Sequence, residues 1–99
     1  MSLVLEYKSR AEAGPATTAE LEGPTVVGRG PDCALRPDDI LLSRRHFRLF
    51  EREGVWHAED VGSAAGTWLN GAQLRGARAL EAGDELQAGG TVFRVARAD

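Results

Sequence analysis

Closely spaced turn signals are the feature that most constrains how this chain can fold. Twelve glycines and four prolines divide 99 residues into short runs, with turns predicted at Arg52-Glu53-Gly54, Asn70-Gly71, Gly83-Asp84 and Gly89-Gly90. Asn-Gly is the strongest two-residue signal for a β-hairpin, because both residues tolerate a positive φ. No run keeps apolar residues at helical spacing long enough to predict an amphipathic helix. The pattern therefore predicts an all-β chain.

The runs between these turns are β-branched or alternate between apolar and polar residues. Strands are predicted over residues 3–8, 16–22, 25–27, 33–35, 45–51, 55–60, 67–69, 84–88 and 91–95. Short strands that recur about every 8 to 12 residues are typical of a β-sandwich or a barrel. A chain of this length is expected to form one domain.

Charge and cysteine content exclude some classes of function and suggest a cellular compartment. The chain carries a net charge of −3 and a single lysine among its twelve basic residues, so it lacks the basic surplus that favours nucleic acid or an anionic membrane surface. One cysteine, Cys33, excludes an internal disulfide and fits a reducing compartment. No apolar run reaches membrane length, and no signal-peptide pattern opens the chain. These features predict a cytoplasmic protein or module whose partner is neither nucleic acid nor a membrane.

The stretch Ser43-Arg44-Arg45-His46 contains the residues best suited to bind an anionic ligand. Arginine presents a planar fork of donors that matches phosphate oxygens, and a serine hydroxyl adds a further donor. Upstream, Arg29 lies between Gly28 and Gly30, whose freedom of backbone angle can set the arginine at a fixed angle on a loop. By itself the stretch favours an ordinary basic surface turn, and only its sequence context points to phosphate binding.

Four motifs follow one another in a characteristic order. They are Gly28-Arg29, then Ser43-Arg44-Arg45-His46, then Asp60 with Gly62-Ser63 and Gly66-Thr67, then Asn70-Gly71. Each is weak alone, but in this order, with strand-like runs between them, the chain resembles the forkhead-associated (FHA) domain over about residues 25–95. The resemblance implies a two-sheet β-sandwich of about eleven strands that reads phosphothreonine in a peptide through loops at one end. Residues 1–99 would form one such domain.

The resemblance also assigns roles to single residues. Arg29 would contact the phosphate or the peptide, Ser43 would give the phosphate a hydroxyl hydrogen bond, and Arg44 would occupy the second phosphate-contacting position. The residues that would support the binding loops are Gly28, His46, Ser63, Gly66, Thr67, Asn70 and Gly71. The implied partner is a phosphothreonine-containing protein or peptide that a Ser/Thr kinase has modified. No cofactor, metal or catalytic residue is implied.

One position departs from the family pattern. Where the family usually has Ser-x-Asn-Gly-Thr, this chain has Ser63-Ala64-Ala65-Gly66-Thr67. Ala65 replaces an asparagine whose side-chain amide holds the main chain of the bound peptide, and its loss is expected to cost about 1–3 kcal/mol. The domain would then bind phosphopeptides weakly, or use Arg45 or another residue instead, or have turned to phosphate-independent contacts.

Three other functions can be weighed against phosphopeptide binding. A phosphate-independent interaction or scaffold domain that uses the same loops is the main alternative. A hydrolase built on Ser43, His46 and Asp60 is disfavoured, because Ser43 lies outside a Gly-x-Ser-x-Gly elbow and no oxyanion hole is evident. A metal site is disfavoured because His46 and His57 show no known zinc-ligand spacing.

Overall fold

The computed structural model describes all residues 1–99 and contains ten strands and no helix. The strands are β1 (Leu3–Ser9), β2 (Thr17–Leu21), β3 (Thr25–Val27), β4 (Phe47–Arg52), β5 (Val55–Asp60), β6 (Thr67–Leu69), β7 (Ala72–Gln73), β8 (Arg78–Ala79), β9 (Glu85–Ala88) and β10 (Thr91–Ala98). A six-stranded sheet has the order β2-β1-β10-β9-β6-β7, and a four-stranded sheet has the order β3-β4-β5-β8. All these strand pairs are antiparallel. The predicted all-β, two-sheet fold is confirmed.

Alternation along the strands creates the core between the two sheets. In β10, Thr91, Phe93 and Val95 are buried, whereas Val92 and Arg94 between them are exposed. Successive side chains of a strand point to opposite faces of the sheet, so each strand contributes one apolar face to the core. No helix long and apolar enough to cross a membrane is present.

Aromatic side chains join the two sheets. Phe47 of β4 meets Phe93 of β10 edge to face, with ring centroids 5.2 Å apart. Trp56 of β5 and the β1 residues Leu3 and Leu5 are almost completely buried in the same cluster. The packed core therefore extends N-terminal to residue 25, because β1 lies between β2 and β10.

The hairpin turns follow the expected backbone chemistry. Asn70 and Gly71 have φ values of 50° and 85°, and Glu53 and Gly54 have 54° and 80°. Two successive positive φ values are the signature of the type I′ turn, whose twist matches that of the flanking strands. Both predicted hairpins are therefore present at the predicted positions.

Small differences separate the expected strands from the observed ones. Ten strands form instead of about eleven, and within 33–35 only Leu35 forms a β-bridge, which pairs it with Val27. The two-residue strands β7 and β8 were not predicted, since two residues are too few to show a period. Strand β4 begins at Phe47 instead of Arg45, because the main chain at Arg44 and His46 instead bonds the neighbouring 27–30 segment.

Strand register brings several loops to one end of the sandwich. Val27 pairs with Phe47, and Phe47 pairs with Asp60, so the segments 28–46 and 61–66 leave from the same end. Thr67 pairs with Ala88, which places the 89–90 turn at that end as well. We call this the loop end.

Candidate anion-binding site at the loop end

Main-chain hydrogen bonds hold Arg29 against the Ser43-Arg44 stretch. The Arg29 N–H donates to the Ser43 carbonyl and the Gly30 N–H donates to the Arg44 carbonyl, both at 2.9 Å. The segments approach so closely that a Cβ on Gly28 would lie 2.9 Å from the Ser43 carbonyl oxygen and closer still to that of Arg44. Glycine is therefore required at position 28 for this approach. Residues 14 positions apart in sequence thereby become neighbours.

His46 joins the Ser43-Arg44 stretch to the end of β3 and to the 61–66 loop, and it is completely buried. Its Nδ1 accepts from the Ser43 N–H at 3.1 Å, so its proton lies on Nε2, which donates to the Gly66 carbonyl at 2.7 Å. Its own N–H donates to the Val27 carbonyl, and its carbonyl accepts from the Val61 N–H. Because both ring nitrogens are engaged with the main chain, His46 is not placed to act as a base toward the Ser43 hydroxyl.

Ser43 joins the 42–46 segment to the 61–66 loop. Its Oγ accepts a hydrogen bond from the Ala64 N–H at 3.0 Å. A hydroxyl carries one proton and two lone pairs, and the Ser43 proton has no acceptor within the protein. The hydroxyl is half-buried, fixed in position and free to donate to a ligand.

Four exposed arginines, numbered 29, 36, 44 and 45, give this end of the molecule its charge. The Arg29 Nε donates to the Leu42 carbonyl at 2.9 Å, which leaves the two terminal nitrogens of the guanidinium for a ligand. None of the four has a carboxylate within 4.0 Å, whereas Arg48, Arg94 and Arg97 form ion pairs elsewhere. The loop end therefore presents four guanidiniums without an ion-pair partner, on a segment that also carries Asp32, Asp38 and Asp39.

Asp60 fixes the shape of the 61–66 loop. Its carboxylate accepts from the N–H groups of Gly62 and Ser63, each at 2.8 Å, and from the hydroxyls of Ser63 and Thr67. The Ser63 hydroxyl in turn accepts from the Gly66 N–H at 2.8 Å. Burial raises the pKa of Asp60, but the hydrogen bonds from Ser63, Thr67 and Gly62 outweigh it and hold the pKa below the ordinary value.

The departure from the family pattern lies on the loop that Asp60 shapes. Ala64 and Ala65 are both exposed, and Gly66 adopts a φ of 88° that disfavours any side chain. The methyl group of Ala65 offers neither donor nor acceptor. The loop therefore has a shape fixed by hydrogen bonds and presents no polar side chain at position 65.

Two of the predicted supporting residues lie far from the site. Asn70 and Gly71 follow β6 at the end opposite to Thr67, and a strand rises about 3.3 Å per residue. The Asn70 side chain bonds Asp84 and the Glu85 N–H instead. The expectation that this pair supports the binding loops is therefore wrong, because the hairpin secures the opposite end of the sheet.

Sequence reasoning did not single out Asp39, which supports the loop from the other side. Its buried carboxylate accepts from the Leu41 N–H at 2.9 Å, from the Gly90 N–H at 2.7 Å and from the Thr91 hydroxyl at 2.6 Å. Asp39 and Gly90 are 51 positions apart, and no local pattern could show such a contact. Ile40, next to Asp39, is left 87% exposed at the tip.

The comparison with known families decides the classification. The FHA domain family model matches residues 25–89, well over half of the chain. The chain belongs to the FHA domain family. It is 40% identical over 65 residues to the oxoglutarate dehydrogenase inhibitor of Corynebacterium glutamicum, an alignment that covers 66% of this chain and 45% of that protein. The chain thus spans about half the length of the curated relatives that it matches.

Two solved FHA structures superimpose on nearly the whole chain. One, from a structural and functional analysis of phosphothreonine-dependent FHA domain interactions, has a TM-score of 0.79 at 29% identity and covers 97% of both chains. The other is the FhaA FHA domain in complex with the intracellular domain of Rv3910, with a TM-score of 0.81 at 30% identity. That alignment covers 94% of this chain and 98% of the FhaA chain.

Proposed function

We propose that this FHA domain binds phosphothreonine in a partner protein through Arg29, Ser43 and Arg44. The observation that carries the proposal is the pairing of the 28–30 and 43–44 segments, which brings Arg29, with two uncommitted guanidinium nitrogens, next to Ser43, whose hydroxyl proton has no acceptor. A phosphomonoester carries nearly two negative charges and three acceptor oxygens at neutral pH. Those oxygens match the donors that these loops present.

The energies are sufficient for a regulated interaction. Hydrogen bonds to a charged group contribute about 1.5–3 kcal/mol each. Two or three of them supply much of the roughly 8 kcal/mol of a micromolar complex, once ordering costs are met. Arg45, which is exposed and without an ion-pair partner, adds attraction at longer range. His46, Ser63, Gly66 and Thr67 would serve by holding the loops.

Recognition beyond the phosphate would differ from that of most relatives. Ala65 cannot hold the peptide main chain by a side-chain hydrogen bond. Ile40 and Leu41, which are 87% and 62% exposed on the loop that Asp39 anchors, offer apolar contact to residues beside the phosphothreonine. We therefore expect weaker hydrogen bonding to the main chain of the peptide and a larger contribution from contacts with its side chains.

The family supports an interaction module as opposed to an enzyme. One relative is named as an inhibitor of oxoglutarate dehydrogenase, and one structural neighbour comes from work on phosphothreonine-dependent interactions. We propose by analogy a protein partner that is the substrate of a Ser/Thr kinase. We further propose that residues 1–99 act as one domain and that the single, unpaired cysteine reflects a cytoplasmic location.

The deciding experiment compares matched peptides. A peptide library centred on phosphothreonine selects a sequence, and calorimetry then measures that peptide and its unphosphorylated twin against wild type, Arg29→Ala and Arg52→Ala. Arg52 is the control, because its guanidinium lies over the Phe50 ring, 5.1 Å from the ring centroid, on a strand away from the loop end. We expect only the phosphorylated peptide to bind, and Arg29→Ala to weaken it at least tenfold while Arg52→Ala leaves it unchanged. Equal binding of both twins would point instead to a phosphate-independent scaffold that uses the same loops.

A further inference from the structure

Trp68 is a large aromatic side chain that lies outside the core between the two sheets. It is the middle residue of β6, and it is partly exposed, whereas its neighbours Thr67 and Leu69 are buried. Because successive side chains of a strand point to opposite faces of the sheet, the indole lies on the outer face of the six-stranded sheet. Packing between the sheets therefore does not account for a tryptophan at this position.

The indole packs against Gly66, the last residue of the 61–66 loop. A Cβ on Gly66 would lie 3.1 Å from both Cη2 and Cζ3 of Trp68, and 2.8 Å from the Nε2 of Gln73, which pairs with Trp68 on β7. Carbon atoms in ordinary contact are about 3.5–4.0 Å apart. The far end of the indole and the Gln73 amide thus form an outer wall that leaves room only for a glycine.

The other contacts of Gly66 are polar and come from its main chain. Its carbonyl accepts from the Nε2 of the buried His46 at 2.7 Å, and its N–H donates to the Ser63 hydroxyl at 2.8 Å. Gly66 therefore lies between His46 in the interior and Trp68 on the outer face. The indole limits any outward movement of Gly66 away from His46.

The position of Gly66 affects Ser43 through two short connections. The Ala64 N–H, two residues before Gly66, donates to the Ser43 hydroxyl at 3.0 Å. His46, which donates to the Gly66 carbonyl, accepts from the Ser43 N–H at 3.1 Å. A shift of Gly66 would therefore disturb both the hydroxyl and the main chain of Ser43.

We infer that Trp68 is a positioning residue for phosphothreonine binding, which acts through Gly66 and holds the 61–66 loop against Ser43 from the outer face of the sheet. This inference rests on the proposed function, in which the Ser43 hydroxyl meets the phosphate. Without the indole, the loop adopts other positions in a fraction of the molecules. The apparent affinity then falls in proportion to the fraction that remains competent to bind.

The test measures phosphopeptide affinity in variants of the outer face. The selected phosphothreonine peptide and its unphosphorylated twin are titrated by calorimetry into wild type, Trp68→Thr, Trp68→Phe and Val92→Thr, after thermal melts show that each variant is folded. Val92 is the matched control, because it is 43% exposed on the same face but two strands away from β6. We expect Trp68→Thr to weaken phosphate-dependent binding about three- to tenfold and Trp68→Phe, which keeps one ring, to weaken it less. Val92→Thr should leave the affinity unchanged.

A double-mutant cycle separates positioning from a general structural effect. Trp68→Thr is combined with Ser43→Ala, which removes the hydroxyl that the Ala64 N–H meets. Independent substitutions have additive effects, whereas substitutions that act on one contact do not. We expect Trp68→Thr to weaken binding less than about twofold once Ser43 is alanine. If Trp68→Thr does not fold, Gln73→Ala repeats the cycle with an expected loss of about twofold that disappears in the Ser43→Ala protein.

The outcomes separate this inference from the proposed function. Wild-type affinity in folded Trp68→Thr would overturn the positioning role, as would additive losses in the cycle or an equal loss in Val92→Thr. In each of these cases phosphate-dependent binding by the wild type still stands. Failure of the wild type to distinguish the phosphorylated peptide from its twin would instead overturn the proposed function, and the role of Trp68 with it.

Discussion

Two carboxylates, Asp39 and Asp60, hold the loops on either side of Ser43 by related means. Each accepts the N–H of the residue two positions later, Leu41 in one case and Gly62 in the other, and each accepts a threonine hydroxyl. The partners of Asp60 all lie within seven positions in the chain. Asp39 instead reaches Gly90 and Thr91, more than 50 positions away.

The two carboxylates therefore have different roles: Asp60 shapes a loop, and Asp39 anchors one to the six-stranded sheet. The contacts of Asp60 are local and form a closed turn, so the shape of that turn does not depend on contacts with the rest of the fold. The contacts of Asp39 exist only when the 37–42 segment lies on the β9–β10 turn, so they connect loop position to the fold of the six-stranded sheet. Loss of the Asp39 carboxylate leaves two buried donors, the Gly90 N–H and the Thr91 hydroxyl, without an acceptor, whereas loss of Asp60 leaves one, the Thr67 hydroxyl. Asp39 should therefore matter more to global stability and Asp60 more to the Ala64–Ser43 contact.

The largest effect is expected from Asp39→Ala. It leaves the Gly90 N–H and the Thr91 hydroxyl buried without their acceptor. Unsatisfied buried donors cost about 1–3 kcal/mol each, and we expect a loss of about 2–3 kcal/mol in the free energy of unfolding, or roughly 10–20 °C in Tm. Thermal and denaturant unfolding measure it.

The neighbouring Asp38 provides the control. Its side chain is exposed and makes no hydrogen bond, so Asp38→Ala should change the free energy of unfolding by less than about 0.5 kcal/mol. Equal destabilisation by the two substitutions would mean that the hydrogen bonds of Asp39 do not make the proposed contribution to the free energy of unfolding.

The same contrast explains what could be predicted from the sequence. The turn at Asn70-Gly71 and the short spacing of Asp60, Gly62 and Ser63 are local, and local chemistry is visible in the chain itself. The anchor of Asp39 on Thr91 is a product of tertiary structure and has no local pattern. The hydrogen bond from Arg36 to the Arg29 carbonyl could not be predicted for the same reason, since nothing in the sequence around position 36 indicates that it folds back on Arg29.

A smaller stability loss and a clearer binding loss are expected from Asp60→Ala. Gly62 and Ser63 lie on a partly solvated loop, where water replaces some of the lost contacts, and only the Thr67 hydroxyl is left buried without its acceptor, so the free energy of unfolding should fall by about 1–2 kcal/mol. The Ala64 N–H would no longer be held against the Ser43 hydroxyl. We expect phosphopeptide affinity to fall about three- to tenfold. If stability falls and calorimetry shows unchanged affinity, the loop shape does not position Ser43.

Ala65→Asn tests whether the loop held by Asp60 has kept a competent frame. Ala65 is exposed on a loop whose hydrogen bonds do not involve its side chain, so asparagine can be added without displacing a contact. One main-chain hydrogen bond to the peptide contributes about 0.5–1.5 kcal/mol, or roughly two- to tenfold in affinity. Ala64→Asn is the matched control and should give no gain. Equal affinities for wild type and Ala65→Asn would show that the frame, and not only the side chain, has changed.

Acid compares the two carboxylates directly, and no effect is expected from it near neutral pH. Burial raises the pKa of Asp39, but hydrogen bonds from Thr91, Leu41 and Gly90 outweigh it, so that its pKa, like that of Asp60, lies below the ordinary 3.8. A carboxylate with a lowered pKa in the folded chain stabilises the fold above its unfolded pKa, and this stabilisation is lost as the pH falls through the folded pKa. Stability should therefore change little between pH 7 and about 5 and decline below about 4, by at most about 1.4 kcal/mol per pH unit for each group. Asp39→Asn and Asp60→Asn should each flatten this decline in denaturant titrations at successive pH values. A decline as steep in either variant as in wild type would assign the acid sensitivity to other carboxylates.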